Sequence, residues 1–156
     1  MSIDDRLREL KLTLPPAPKP LAAYVPAVQS GKLLFIAGQV PVENGRVVKP
    51  GKLGADLEIE EGRELARLCT LNGLAAAKQA LGSLDRIQRV VRVAGYVASA
   101  PGFGQQPAVI NGASELLAEI FGEAGRHARV ALGVNELPLG CAVEIEFLFE
   151  VFEVAE

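Results

Sequence analysis

Apolar residues recur along this chain with two different spacings, and the switches between them predict the order of elements. Over residues 60–81 a helical period places Leu65, Leu68, Cys69, Ala76 and Ala80 on one broad face. Glu58, Glu60 and Glu61 suit the positive N-terminus of that helix, and Gly82 suits its end. Asn72 falls inside the stripe and reads as a buried amide bonded to nearby backbone. A second helix over about 105–121 buries Val109, Ala113, Leu116 and Ile120; Pro107 fits its first turn and Gly122 ends it. A third, short helix runs to about Leu10, capped by Ser2, with Asp4 and Asp5 in its first turn and Ile3, Leu7 and Leu10 on one side. It is too short to stand alone and must dock on something.

The period changes to two elsewhere. Residues 24–28 and 32–37 read as strands about a Ser30-Gly31 turn. Pro26 makes the first an edge strand, and the second, apolar on both faces, is central. Asn44-Gly45 suits a tight hairpin, and the β-branched run 89–98 is another strand. From about 142 to 154, Val143, Ile145, Phe147, Phe149 and Val151 share one face, while Glu144, Glu146, Leu148, Glu150 and Phe152 share the other. The stretch before it, from Arg126, reads as a strand joined to this one by a turn at Leu137-Pro138-Leu139-Gly140, which places Arg129 and Glu144 on neighbouring strands. The proline-rich run from Leu14 to Pro20 is an extended linker, dividing the chain into a helix-and-linker segment, 1–20, and a single domain, 21–156.

The resulting order is strands, helix, strand, helix, strands. It predicts an α+β two-layer sandwich of a mixed sheet with two helices on one face. The helices cover only that face, yet several strands are apolar on both. The simplest cover for the other is a second copy of the chain, so a homo-oligomer with sites at subunit boundaries is expected.

Composition narrows the function. The 156 residues are 49% hydrophobic and 5% aromatic with no Trp, so the core rests on aliphatic side chains. A net charge of −3 offers no electrostatic footprint for nucleic acid. The apolar runs are too broken for a membrane span, and two cysteines without an export signal point to the cytoplasm. No P-loop, dinucleotide fingerprint, nucleophile elbow or zinc motif is present. Cys69 reads as a small core residue, and the single His127, which cannot belong to a multi-histidine metal site, as a surface residue. By composition alone, Glu144 and Glu146 fit a solvated strand face or partners for arginine across an interface.

Three motifs in order add a resemblance. They are Phe35-Ile36-Ala37-Gly38-Gln39-Val40-Pro41; then Asn72-Gly73-Leu74-Ala75-Ala76 with Leu84-Asp85-Arg86-Ile87; then Ala128-Arg129 through Leu137-Pro138 to Val143-Glu144-Ile145-Glu146. Over roughly residues 21–154 the chain resembles the RidA/YjgF family of enamine/imine deaminases, also labelled endoribonuclease L-PSP. It is most similar to a subgroup with an N-terminal helix and a His-Ala-Arg ending. The resemblance implies a chorismate-mutase-like fold and a homotrimer with sites between subunits. It also implies that Arg129 binds a substrate carboxylate and Glu144 positions the attacking water, with no cofactor and no metal. Tyr24, Ala37, Gly38, Phe103 and Ala131 are the implied substrate-binding positions. Ala37 replaces the family's Ser, Ala131 a frequent Cys and Gly102 a frequent Asn. The implied reaction converts 2-imino acids to 2-oxo acids and ammonia. A non-catalytic trimer binding small carboxylates is the alternative. A ribonuclease is disfavoured by the acidic balance, with Arg86, Arg89 and Arg92 as its only local basic patch.

Overall fold

The computed structural model describes residues 1–17, 19 and 23–154. The expected linker runs onto residues 18 and 20, which lie outside the described residues. Helix α1 (Ile3–Glu9) opens with reciprocal caps: Ser2 Oγ accepts from the Asp5 amide at 3.0 Å, and the Asp5 carboxylate accepts from the Ser2 amide at 3.1 Å. Its dependence on docking is visible in its partners. Leu7 enters the main core, Arg6 Nε donates to the Glu119 carbonyl at 2.9 Å, and Lys78 pairs with Asp4 at 3.1 Å.

Strands β1 (Ala27–Ser30) and β2 (Leu33–Gln39) form the expected hairpin, although β1 begins later than the pattern from Tyr24 suggests. Short strands β3 (Val42–Glu43) and β4 (Arg46–Val47) flank Asn44 and Gly45, both at positive φ. Helix α2 (Ile59–Leu81) follows, then β5 (Ile87–Ala98), α3 (Gln106–Phe121), β6 (Ala128–Val134) and β7 (Val143–Val151). The main sheet has the order β1-β2-β7-β5-β6, with β5 and β6 parallel and the other pairs antiparallel. β1 is an edge and β2 is paired on both sides, as the Pro26 and apolar-run arguments require.

β6 and β7 are not neighbours, which corrects the expected hairpin. β6 pairs with β5 alone, in parallel, after the α3 crossover that a parallel pair needs. The Pro138–Gly140 turn then carries the chain past the end of β5 to its other side, with Leu139 and Gly140 at positive φ. Local turn chemistry is the same for a hairpin and for this longer step, so the pattern could not separate them.

Helices α2 and α3 cover one face of the sheet. β7 alternates as expected: Val143, Ile145, Phe147, Phe149 and Val151 are buried beneath the helices, and Glu144, Glu146, Leu148 and Glu150 face away, half-buried. On α2 the buried arc is displaced from the expected stripe. Ala80 is exposed and Leu68 half-buried, while Ala66, Leu74 and Ala77 are fully buried, because α2 packs on α3 as well as on the sheet. Asn72 is the buried amide anticipated, donating to the carbonyls of Val40 and Val42 at 3.1 Å each. The far face of the sheet is left with Val28, Phe35 and Leu132 exposed, about half of Phe35 and Leu132 (46% and 51%) being accessible.

The α2–α3 contact is made backbone to backbone. A Cβ added at Gly112 would lie 2.3 Å from the Arg63 carbonyl oxygen. Gly112→Ala is therefore expected to destabilise the fold by about 1–3 kcal/mol through overpacking. Gly104→Ala, where an added Cβ meets nothing within 4 Å, is expected to stay within about 0.5 kcal/mol of the parent. Urea unfolding of both variants at one protein concentration measures the difference.

Candidate active site

Glu144 projects from β7 onto the open face, directly across from Tyr96 of β5. A break in the β2 register between Ile36 and Gln39 brings Gly38 beneath it; a Cβ at Gly38 would sit 2.8 Å from Glu144 Oε2. Only glycine allows that approach without displacing the carboxylate. The segment is tied down on both sides, by the Ala37 amide on the Pro26 carbonyl at 2.9 Å and by Asn72 on Val40 and Val42. Ala37 borders an adjoining hollow in the open face with Phe35, Arg92, Glu146 and Leu148.

The two neighbouring acids, Glu144 and Glu146, have different surroundings. Glu146 accepts from the Tyr96 hydroxyl at 2.9 Å and lies 3.7 Å from Arg92 Nη1. The Glu144 carboxylate has no hydrogen bond among the described residues. Burial pushes its carboxyl above the usual range, and the charge of Glu146 pushes it further. The thiols beside it are inert by the same logic. Burial raises Cys141 to about 11 and raises Cys69 well above its usual value, with Glu144 adding to both.

Arg129 occupies the edge strand β6, in register with Val93 and, across β5, with Phe147. That row faces the helices. Its Nη1 donates to Asn111 Oδ1 at 2.7 Å and to Ser114 Oγ at 3.2 Å, both on α3. Ala131 follows on the same face, packed against the core. His127 is not a free surface residue as its sequence context suggested. It is half-buried between Ser114 Oγ, 2.9 Å from Nε2, and the Gly125 carbonyl, 2.6 Å from Nδ1. Asn111 and Ser114 escaped sequence reading; their signal is a polar pair three residues apart beside the buried stripe of α3, on the side that meets β6.

Within one chain Arg129 and Glu144 do not meet. They project from opposite faces, with β5 between their strands and three residues of offset along β7. Phe103 lies elsewhere again. It packs against Gly54 beyond the end of β5, and its carbonyl accepts from Gln106 Nε2 at 2.8 Å. Tyr24 is exposed ahead of β1. Gly38, Ala37 and Glu144 thus gather on one side of the molecule, and Arg129 and Ala131 on another.

Comparison with known proteins gives this arrangement its relatives. A family profile described as "YjgF/chorismate_mutase-like, putative endoribonuclease" matches residues 4–151. The chain belongs to this RidA/YjgF family. The Trypanosoma cruzi protein TCP17 is 44% identical over 146 residues, covering 93% of this chain and 91% of its own. A RutC family protein of Pyrococcus horikoshii is 33% identical, covering 83% and 88%. A crystal structure of an Agrobacterium tumefaciens protein, described there as of unknown function, superposes with a TM-score of 0.89 at 46% identity, over 96% of this chain and 92% of that one. The fold is accordingly the chorismate-mutase-like α+β fold of the RidA/YjgF family. Among the described residues no helix is long and apolar enough to cross a membrane, and no cluster of His, Cys, Asp and Glu could hold a metal.

For this RidA/YjgF chain the acid pair gives a measurable expectation. Carboxyl 13C NMR should find Glu144 titrating above the ordinary Glu range, and Glu146→Gln should lower it only part of the way, since burial is the larger cause. The native state holds that proton more tightly than the unfolded chain. Its contribution to stability therefore declines as pH rises from the ordinary carboxyl range through the raised value, and Glu144→Gln should remove that slope.

Proposed function

We propose that this RidA/YjgF protein hydrolyses reactive 2-imino acids to 2-oxo acids and ammonia, in clefts where Arg129 of one subunit faces Glu144 of the next in a homotrimer. The observation that carries this reading is the separation of the two residues. Arg129 stands on an unpaired sheet edge, while Glu144 stands on an apolar-rimmed open face beside Gly38. Docking the edge of one copy against the open face of another covers the exposed Phe35 and Leu132 and can bring the two side chains to one cleft. Two buried thiols suit a cytoplasmic setting for such a protein.

In this mechanism the guanidinium binds the planar carboxylate with two parallel N–H donors, which lysine cannot match. Glu144, made more basic by burial and by Glu146, takes a proton from the attacking water. The oxygen adds to the imine carbon, and the carbon–nitrogen double bond becomes single. The proton passes from Glu144 to nitrogen to give the carbinolamine. The carbinolamine hydroxyl then yields its proton, by way of Glu144, to the amine, the carbon–nitrogen bond breaks as the carbon–oxygen double bond forms, and ammonia leaves the 2-oxo acid. Positioning is most of the task, because such imines already hydrolyse in water.

A non-catalytic carboxylate-binding trimer uses the same cleft and draws support from the methyl groups of Ala37 and Ala131 at positions where relatives often carry Ser and Cys. Ribonuclease activity finds little support. Arg86 donates to the Phe152 carbonyl and Arg92 lies 3.7 Å from Glu146, so two of the three arginines of the basic patch already have partners within the chain.

The test generates 2-imino acids in situ with an amino-acid oxidase and follows keto-acid release. The protein should accelerate release, and Arg129→Ala should lower kcat/KM by about 10- to 100-fold, the worth of charged hydrogen bonds, while the trimer stays intact. Full activity in Arg129→Ala sinks the assignment. Binding without turnover in the parent protein leaves the carboxylate-binding reading.

A further inference from the structure

We infer that Asn111, Ser114 and His127 form a one-way hydrogen-bond relay that holds the Arg129 guanidinium by one edge and presents its other edge, still charged, to a carboxylate. This rests on the site proposed above and assigns it three positioning residues.

The direction of the relay follows from which atoms can donate. His127 Nδ1 lies 2.6 Å from the Gly125 carbonyl, which can only accept, so Nδ1 carries the proton. Burial disfavours a second ring proton; the Gly125 carbonyl partly offsets this and the charge of Arg129 adds to it, so Nε2 offers its lone pair to Ser114 Oγ. Ser114 Oγ, 2.9 Å from Nε2, therefore spends its single proton on the imidazole. Towards Arg129 it shows only lone pairs, and it accepts from Nη1 at 3.2 Å. Asn111 Oδ1 accepts from the same nitrogen at 2.7 Å. Both protons of Nη1 are thus engaged. Nε and Nη2 make no hydrogen bond among the described residues, and together they form the fork that matches a carboxylate.

The chemistry of the holding groups is the second part of the inference. An aspartate in place of Asn111 would grip Arg129 more strongly and cancel its charge. An amide and a hydroxyl orient it without doing so. Asn111 and Ser114 lie three residues apart on α3, and α3 is itself set by the backbone contact of Gly112 with Arg63, so the acceptors belong to a rigid element. A merely structural cluster would need hydrogen-bond partners but would be indifferent to whether they were neutral.

The test uses the intact protein, with 2-oxobutanoate as the carboxylate probe followed by calorimetry. The parent should bind it. Asn111→Asp, of the same shape, should weaken binding at least about tenfold by neutralising Arg129. Ser114→Ala should weaken it less, and Ser114→Thr should restore it. Because His127 is the only histidine of the chain, 15N NMR of its ring gives a single set of signals. These should show the Nδ1–H tautomer at neutral pH. Binding unchanged in Asn111→Asp, or an Nε2–H tautomer, overturns the relay. If the parent turns over imino acids through Arg129 and Asn111→Asp is indistinguishable from it, the relay alone fails. If the parent binds the probe with the expected sensitivity but shows no turnover, the hydrolysis alone fails. If the parent neither binds the probe nor turns over imino acids, both fail.

Discussion

One constraint shapes this molecule: two long helices must serve a five-stranded sheet, and they cover only one side of it. Under the helices the packing is close, with Phe147 against Gly73 and Ile110 against Gly95 at distances that admit no Cβ. On the other side Val28, Phe35 and Leu132 remain exposed beside Leu148, among the polar groups Arg92, Tyr96, Glu144 and Glu146. A strand with period two serves both demands at once. Each residue that β7 gives to the core is followed by one given to the open face, so the strand that completes the hydrophobic interior also displays the acids.

The electrostatic character of the site follows from the same geometry. Glu144 is half-buried beside Gly38, close to Glu146 and without a hydrogen-bond donor, and these conditions raise a carboxyl group and make it a better base. Glu146, by contrast, accepts from the Tyr96 hydroxyl and lies near Arg92. Arg129 lies on the opposite face and at the sheet edge, held by neutral acceptors from α3. Glu144 and Arg129 belong to different surfaces of the chain, so the proposed reaction requires two copies to bring them together.

Much of this was legible in the residues. Ser2 and Asp5 announced a capped helix, the alternation from Val143 to Val151 announced a one-sided strand, and Asn72 announced a buried amide, because each is a local rule with a local signature. Non-local facts were not legible. The turn at Pro138 reads as a hairpin, yet β5 lies between β6 and β7, since pairing partners are chosen by the whole sheet. Ala80 fits a helical stripe but lies beyond the reach of α3 and the sheet. His127 looked exposed between charged neighbours, and only the approach of α3 to β6 turns it into a link between Ser114 and Gly125. Arg129 and Glu144 were expected on neighbouring strands, yet β5 separates them and they project from opposite faces.

The central claim is that the site is completed by two subunits, and subunit mixing tests it most directly. Arg129→Ala and Glu144→Gln chains, each with activity lowered at least about tenfold as a trimer of its own kind, would be unfolded together in equal amounts and refolded. With random assembly, each cleft needs an intact Arg129 from one chain and an intact Glu144 from its neighbour, so about one quarter of parental imine hydrolysis should return. Failure of mixed trimers to regain any activity, with hetero-assembly verified by mass spectrometry, would contradict a composite site.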